Sequence, residues 1–123
     1  HARRALRAAI ALRAVAVNFR AWVESRFPDH DLPQFDIGIG VHSGEAVIGN
    51  IGSSIRMEYT AIGDTVNIAS RLEGQTKETG AHILASRATV SQCGGELQTG
   101  SLHCLTVKGR AAPVEAFEIV TVE

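Results

Sequence analysis

Between residues 2 and 26 the apolar side chains Ala5, Ala9, Leu12, Ala16, Phe19 and Val23 recur every three or four positions, which predicts one long helix burying that face. Arg3, Arg4, Arg7 and Arg26 fall largely off the stripe and read as a solvated face. Pro28 and the cluster Asp29, His30, Asp31 and Pro33 end the helix and open a loop. Phe35, Ile37, Ile39 and Val41 then alternate with Asp36, Gly38 and Gly40, the period of a strand. The second face of that strand is almost bare of side chains, so another element is expected to pass close over it. After a turn at His42, Ser43 and Gly44, residues 46–51 read as the return strand of a hairpin, and residues 56–62 as a further strand.

Asp64 follows Gly63 and precedes Val66, Ile68, Ala69 and Leu72, a pattern that predicts Asp64 as N-cap of a helix over 65–78 ending near Gly80. Residues 81–84 read as a short strand and 86–92 as a short helix stopped by Gly94 and Gly95. Two strands follow, over 98–107 and 114–122, joined by a turn containing Lys108, Gly109, Arg110 and Pro113. Helices mixed with hairpin-linked strands predict an α+β sandwich, with helices over one face of a mixed sheet.

With 123 residues, 45% hydrophobic and 20% charged at a net charge of -1, the chain has the profile of one soluble domain. A chain of this length hides roughly two-thirds of its unfolded surface, enough for a core without disulfide or metal staples. A pI of about 6.6 argues against a nucleic-acid-coating domain but allows binding of a single small anion. The most apolar stretch, residues 8–17, contains Arg13 and falls well short of the ~20 residues of a membrane helix. Starting at His1 with no signal-peptide pattern, the chain reads as a cut through a longer protein. Cys93 and Cys104 fit no zinc spacing and are expected to be free thiols.

The glycines at 38 and 40 resemble the start of a dinucleotide fingerprint, but the third glycine is misplaced and the helix it needs does not follow. His42 beside Ser43 suggests a base and nucleophile, yet neighbours on a strand point to opposite faces, so a turn-stabilising role is expected. Asn67 and Arg71 are four apart in the N-terminal half of a helix, where both share one face and backbone N–H groups favour anions. A carboxamide with a guanidinium suits a ribose and a phosphate, although on an arbitrary helix the pair is ordinary surface. Lys108, in a glycine-containing turn, has the reach to meet a triphosphate, or is simply solvated.

The run Gly38-Ile39-Gly40-Val41-His42-Ser43-Gly44, then Gly49-Asn50-Ile51-Gly52, then the unbroken block from Tyr59 to Leu72, closely resembles the class III adenylate and guanylate cyclase catalytic domain. Val107-Lys108-Gly109 followed by Pro113-Val114 extends the likeness to the tail. The resemblance implies a ferredoxin-like α/β sandwich of the class III cyclase type, with its N-terminal strands missing, so that residues 1–123 are the C-terminal portion of one catalytic domain. It further implies head-to-tail pairing, as a homodimer or with a second cyclase domain, around nucleotide sites in the groove between subunits.

Position by position, Asn67 resembles the residue that orients the ribose and Arg71 the one that meets charge developing at the α-phosphate. Thr60 falls where adenylate cyclases place an Asp or Thr that hydrogen-bonds adenine, and Lys108 resembles the lysine holding the terminal phosphates. The expected activity is therefore conversion of ATP to 3′,5′-cyclic AMP and pyrophosphate in intracellular signal transduction. A guanylate cyclase and a catalytically inactive module for dimerisation or nucleotide sensing are the alternatives. The family's two Mg²⁺ or Mn²⁺ ions are held by aspartates from segments preceding this chain's first helix, so no metal ligand is expected here and the fragment alone is expected to be inactive. A cytoplasmic domain is implied, with no nucleic acid and no membrane insertion of its own, within a membrane-anchored or multidomain parent.

Overall fold

In the computed structural model, which describes residues 1–29, 35–107 and 112–122, the long helix α1 spans Ala2–Arg26 and leads to a short strand β1, Ile39–Val41. The hairpin strands β2 (Val47–Gly52) and β3 (Met57–Ile62) precede helix α2 (Asp64–Thr79), strand β4 (Ile83–Ser86) and helix α3 (Arg87–Gln92). Strands β5 (Leu97–Leu105) and β6 (Val114–Val122) close the chain. A four-stranded sheet has the order β1-β4-β6-β5, with β1 parallel to β4 and the other pairs antiparallel. Strands β2 and β3 form a separate two-stranded sheet.

Two expected pairings change. The segment after β1 does not fold back on it: Ile39 to Val41 pair with Ile83 to Ala85, and Val47 to Gly52 pair instead with β3. Regular strand geometry also covers only three residues of the alternating stretch that starts at Phe35. Alternation shows which residues share a face, but pairing partners are fixed by tertiary packing.

Helices cover both faces of the larger sheet rather than one. Ile68 and Leu72 of α2 pack with Leu84, Leu105, Val114 and Ala116, while Leu6 and Ala9 of α1 pack with Ile83, Ala85 and Ile119. Leu84 thus faces one layer and its neighbours Ile83 and Ala85 the other, and every residue of β4 is buried.

The bare glycine face of β1 takes helix α2. A Cβ added at Gly40 would stand 2.5 Å from the Ala69 carbonyl oxygen and 2.9 Å from Leu72 Cβ, and one at Gly38 would lie 2.9 Å from Thr76 Cβ. Side chains there would hold the helix away from the sheet, so the glycines set the depth at which α2 sits.

On α1 the buried residues are Ala2, Leu6, Ala9 and Ala16, whereas Leu12 and Phe19 are 55% and 45% exposed. The inward stripe shares Ala9 and Ala16 with the expected one but runs through Arg13 and Arg20 in place of Leu12 and Phe19, the arginine side chains only 25% and 33% exposed. Long aliphatic stems let an arginine cover apolar surface while its head stays wet. Arg13 donates to Asp36 at 2.6 Å, and His82 Nδ1 lies 3.6 Å from the other carboxylate oxygen. Phe19 packs edge-on against Phe35 at 4.9 Å.

Burial alone would raise the Asp36 pKa, but the Ile37 N–H bond and the charges of Arg13, His82 and Arg20 outweigh it and hold the carboxyl below its ordinary value. A group depressed in the folded state contributes stability that is present above its unfolded pKa and lost as pH falls through its folded one. Asp36→Asn is therefore expected to flatten part of the fall in Tm on acidification below about pH 4. Superimposable Tm curves against pH for the two proteins would remove this ion pair from the acid response.

Candidate functional site

The candidate residues occupy the end of one element and the start of the next. On β3, Thr60 is half-buried and pairs across the hairpin with Gly49, which presents no side chain, so the space beside the Thr60 hydroxyl is open on that flank. The hairpin surface around it is strongly apolar, with Tyr59 77% and Ile55 96% exposed.

Directly after β3 ends at Ile62, Gly63 takes φ 136°, a value that side-chain-bearing residues rarely adopt. Its carbonyl accepts the first helical bonds, from Val66 N at 3.2 Å and Asn67 N at 3.3 Å. Gly63 is therefore the N-cap, and Asp64 lies within the helix as the acidic residue of its first turn, where a negative charge favours the helix dipole. The helix ends at Gly80, whose left-handed φ of 77° closes it as the sequence predicts.

Along α2 the buried residues are Ile68, Leu72, Gln75 and Thr76. Asn67 and Arg71 each stand one position before a core residue, one turn apart, on an exposed edge of the same helix. Among the described residues no acidic side chain forms an ion pair with Arg71. A guanidinium so placed is available to an external anion. Asn67, Arg71 and Thr60 thus belong to one continuous strand-to-helix unit pivoting on Gly63; Lys108 lies outside the described residues.

The loop between β1 and β2 braces this unit. His42 Nδ1 is 2.6 Å from Ser86 Oγ, and Ser43 Oγ is 2.9 Å from Thr89 Oγ1, which fastens the start of the loop to the β4–α3 junction. Ser86 also caps α3 by accepting from Thr89 N. His42 and Ser43 thus act separately as anchors, as a turn-stabilising role requires. Further along, Thr65 Oγ1 donates to the Glu45 carbonyl oxygen at 2.5 Å, a contact that local sequence patterns do not signal. A cleft of about 510 Å³ opens beside the loop, lined by His42, Ser43, Gly44, Glu45, Gln92 and the start of α1, and Asn67 and Arg71 are not part of its wall.

Among the described residues no three His, Cys, Asp or Glu side chains gather in a group able to hold a metal ion. Asp36, which the sequence leaves unassigned, is engaged by Arg13 and His82. Cys93 and Cys104 are free thiols, and no described helix is long and apolar enough to cross a membrane. The two divalent ions implied by the resemblance therefore find no ligand set among the described residues.

Comparisons with known proteins agree on one family. The profile of the adenylate and guanylate cyclase catalytic domain matches residues 2–120. The chain is 45% identical over 91 residues to adenylate cyclase 1 of Rhizobium meliloti, covering 74% of this chain and 14% of that protein. It is 34% identical over 119 residues to an adenylate cyclase of Anabaena cylindrica, covering 94% of this chain and 24% of that one. Among solved structures, the guanylyl cyclase Cya2 superposes with a TM-score of 0.84 at 27% identity, over 99% of this chain and 59% of that one. The adenylyl cyclase CyaB from P. aeruginosa gives 0.80 at 30% identity, over 99% and 60%. The chain spans at most 24% of the length of these two curated relatives. With the family profile spanning nearly all of its residues and the fold shared along its length, the chain belongs to the class III adenylate and guanylate cyclase catalytic-domain family.

Proposed function

We propose that residues 1–123 form the C-terminal portion of an adenylate cyclase domain that converts ATP to 3′,5′-cyclic AMP and pyrophosphate in intracellular signal transduction. The observation that carries this reading is the pairing of Asn67 and Arg71 one turn apart on the exposed edge of α2, joined through Gly63 to the strand that bears Thr60. In the reaction the ribose 3′-oxygen attacks the α-phosphorus and pyrophosphate leaves, so negative charge builds on the phosphoryl oxygens. Asn67 orients the ribose for that attack and Arg71 meets the developing charge. Thr60 reads the adenine edge, and Lys108 holds the terminal phosphates.

Asn67 and Arg71 lie on an open surface of a single chain, and a groove that excludes water needs a second wall. We assign that wall to a second cyclase domain, in a homodimer or a paired arrangement, of a cytoplasmic enzyme. The exposed apolar side chains of the hairpin, among them Val47, Ile48, Met57 and Tyr59, support this. Metal carboxylates belong in this reading to segments outside residues 1–123, which makes these residues inactive alone. A second reading, GTP as substrate, is favoured by the likeness to a guanylyl cyclase structure, and an inactive dimerisation or sensing module is the third.

The test is cyclic-nucleotide formation by the full-length protein in Mn²⁺, from ATP and GTP in competition. Cyclic AMP as the main product, its formation lowered about 10²-fold but still measurable in Asn67→Ala, is expected. Preferential cyclic GMP would reassign the substrate, and no product from either nucleotide by a folded dimer would move the assignment to a sensing module.

A further inference from the structure

We propose that Thr65 is a positioning residue for the cyclisation step, a latch that holds the first turn of α2 so that Asn67 presents its carboxamide at a fixed place. The proposal rests on the cyclase reading above.

Helix α2 has two kinds of restraint. Its middle, at Ala69, Leu72 and Glu73, is seated on the bare face of Gly40. Its first turn has no such seat: the helix begins at a glycine with no side-chain cap, and the bonds from Val66 and Asn67 to the Gly63 carbonyl are long, at 3.2 and 3.3 Å. A helix start without a side-chain cap frays more readily than a capped one. A tertiary tether holds this turn: the Thr65 hydroxyl donates 2.5 Å to the Glu45 carbonyl, twenty residues earlier in the chain.

The loop that receives this bond is itself fixed. His42 and Ser43 tie its beginning to Ser86 and Thr89, both buried, at the β4–α3 junction. Gly44 leaves room for the latch, because a Cβ there would stand 2.6 Å from Thr65 Oγ1. Force on the first turn of α2 is therefore carried through Glu45 and the loop to the sheet. Asn67 is two residues from the latch, and Arg71 is one turn further along, beside the glycine-seated part of the helix. Thr65 should act mainly through Asn67, on the orientation of the attacking ribose, where a small misplacement is costly to rate and nearly invisible to binding.

Thr65→Val keeps the shape and removes the donor. In the full-length protein assayed with ATP and Mn²⁺, it is expected to lower kcat about 10-fold with KM within about 2-fold. Thr65→Ser should restore most of the loss, and Gly44→Ala, which crowds the hydroxyl from the other side, should reproduce it. In an Asn67→Ala background the further cost of Thr65→Val should shrink below about 2-fold, since residues acting through one another are not additive. A general structural role would instead give the same loss in both backgrounds and no better rate with serine than with valine. Either result, or wild-type kcat in Thr65→Val, overturns the latch while leaving the cyclase reading intact. A wild-type protein that forms no cyclic nucleotide overturns both.

Discussion

Replacing Arg71 by alanine in the full-length protein is expected to lower cyclic-nucleotide turnover by about 10²-fold, the usual cost of removing a donor aimed at transition-state charge. The expectation follows from where the side chain stands. Arg71 is exposed and makes no ion pair with a described acidic residue, while its neighbour Leu72 is fully buried and carries the packing of that turn. The substitution should leave Tm within about 2 °C, because surface changes away from special features are usually within about 0.5 kcal/mol. Loss of turnover at constant stability and nearly constant KM is the signature of an interaction made chiefly in the transition state. Arg71→Lys should recover only part of the rate, because an ammonium lacks the planar two-pronged fork that fits a phosphoryl group. Steady-state rates with product separated by chromatography decide the matter, and an alanine variant with unchanged turnover would take Arg71 out of the mechanism.

A second large effect is expected from one methyl group. Gly40→Ala places a Cβ against the backbone of α2 at Ala69 and Glu73, atoms that cannot rotate away as a flexible side chain can. The helix must lift from the sheet, opening the contact among Ile68, Leu72 and Leu84. Overpacking of this kind typically costs 1–3 kcal/mol, and with backbone as the obstacle the cost should be about 3 kcal/mol or more. For a chain of this size that lowers Tm by roughly 10 °C. Gly74→Ala, the same change in the interior of α2 where an added Cβ meets nothing, should have the opposite sign and add about 0.5–1 kcal/mol through helix propensity. Thermal melts of the two variants side by side separate crowding from any general intolerance of alanine in this region. Equal stability of Gly40→Ala and the wild type would mean that the helix and strand do not meet at this depth.

Elements bounded by strong punctuation were legible in the sequence nearly to the residue. Helix α2 lies between Gly63 and Gly80, both at positive φ, and its ends fall one residue outside the range expected from the apolar repeat. Strand β6 begins and ends where the alternation does. The glycine face of β1 was also readable, because two missing side chains in period two require a close neighbour. Partnership was not readable. Nothing local in Ile39 to Val41 indicates that they pair with Ile83 to Ala85, and the nearest apolar run suggested a hairpin instead. On α1 the apolar repeat shows Ala9 and Ala16 as inward but not Arg13 and Arg20, which lie half-inside beside acidic partners with no local signal to say so. At the candidate site, the shared face of Asn67 and Arg71 follows from their spacing alone. The Thr65 contact joins segments far apart in the chain, and no short motif encodes it.

The separation of the hairpin β2–β3 from the four-stranded sheet bears on how substrate preference can change over evolutionary time. Thr60 belongs to a strand whose hydrogen-bonding partner is a single neighbour, largely outside the core, while Asn67 and Arg71 ride on a helix seated against the central layer. On the proposed assignment of Thr60 to the base, substitutions that retune its recognition act on a part of the molecule that carries little of its folding energy, and a lineage can explore them without approaching its stability threshold. Asn67 and Arg71, proposed to face the sugar and the phosphate, have no such latitude, since moving them means moving the core. On that assignment a fold divided in this way keeps its chemistry constant and leaves its choice of nucleotide open to drift.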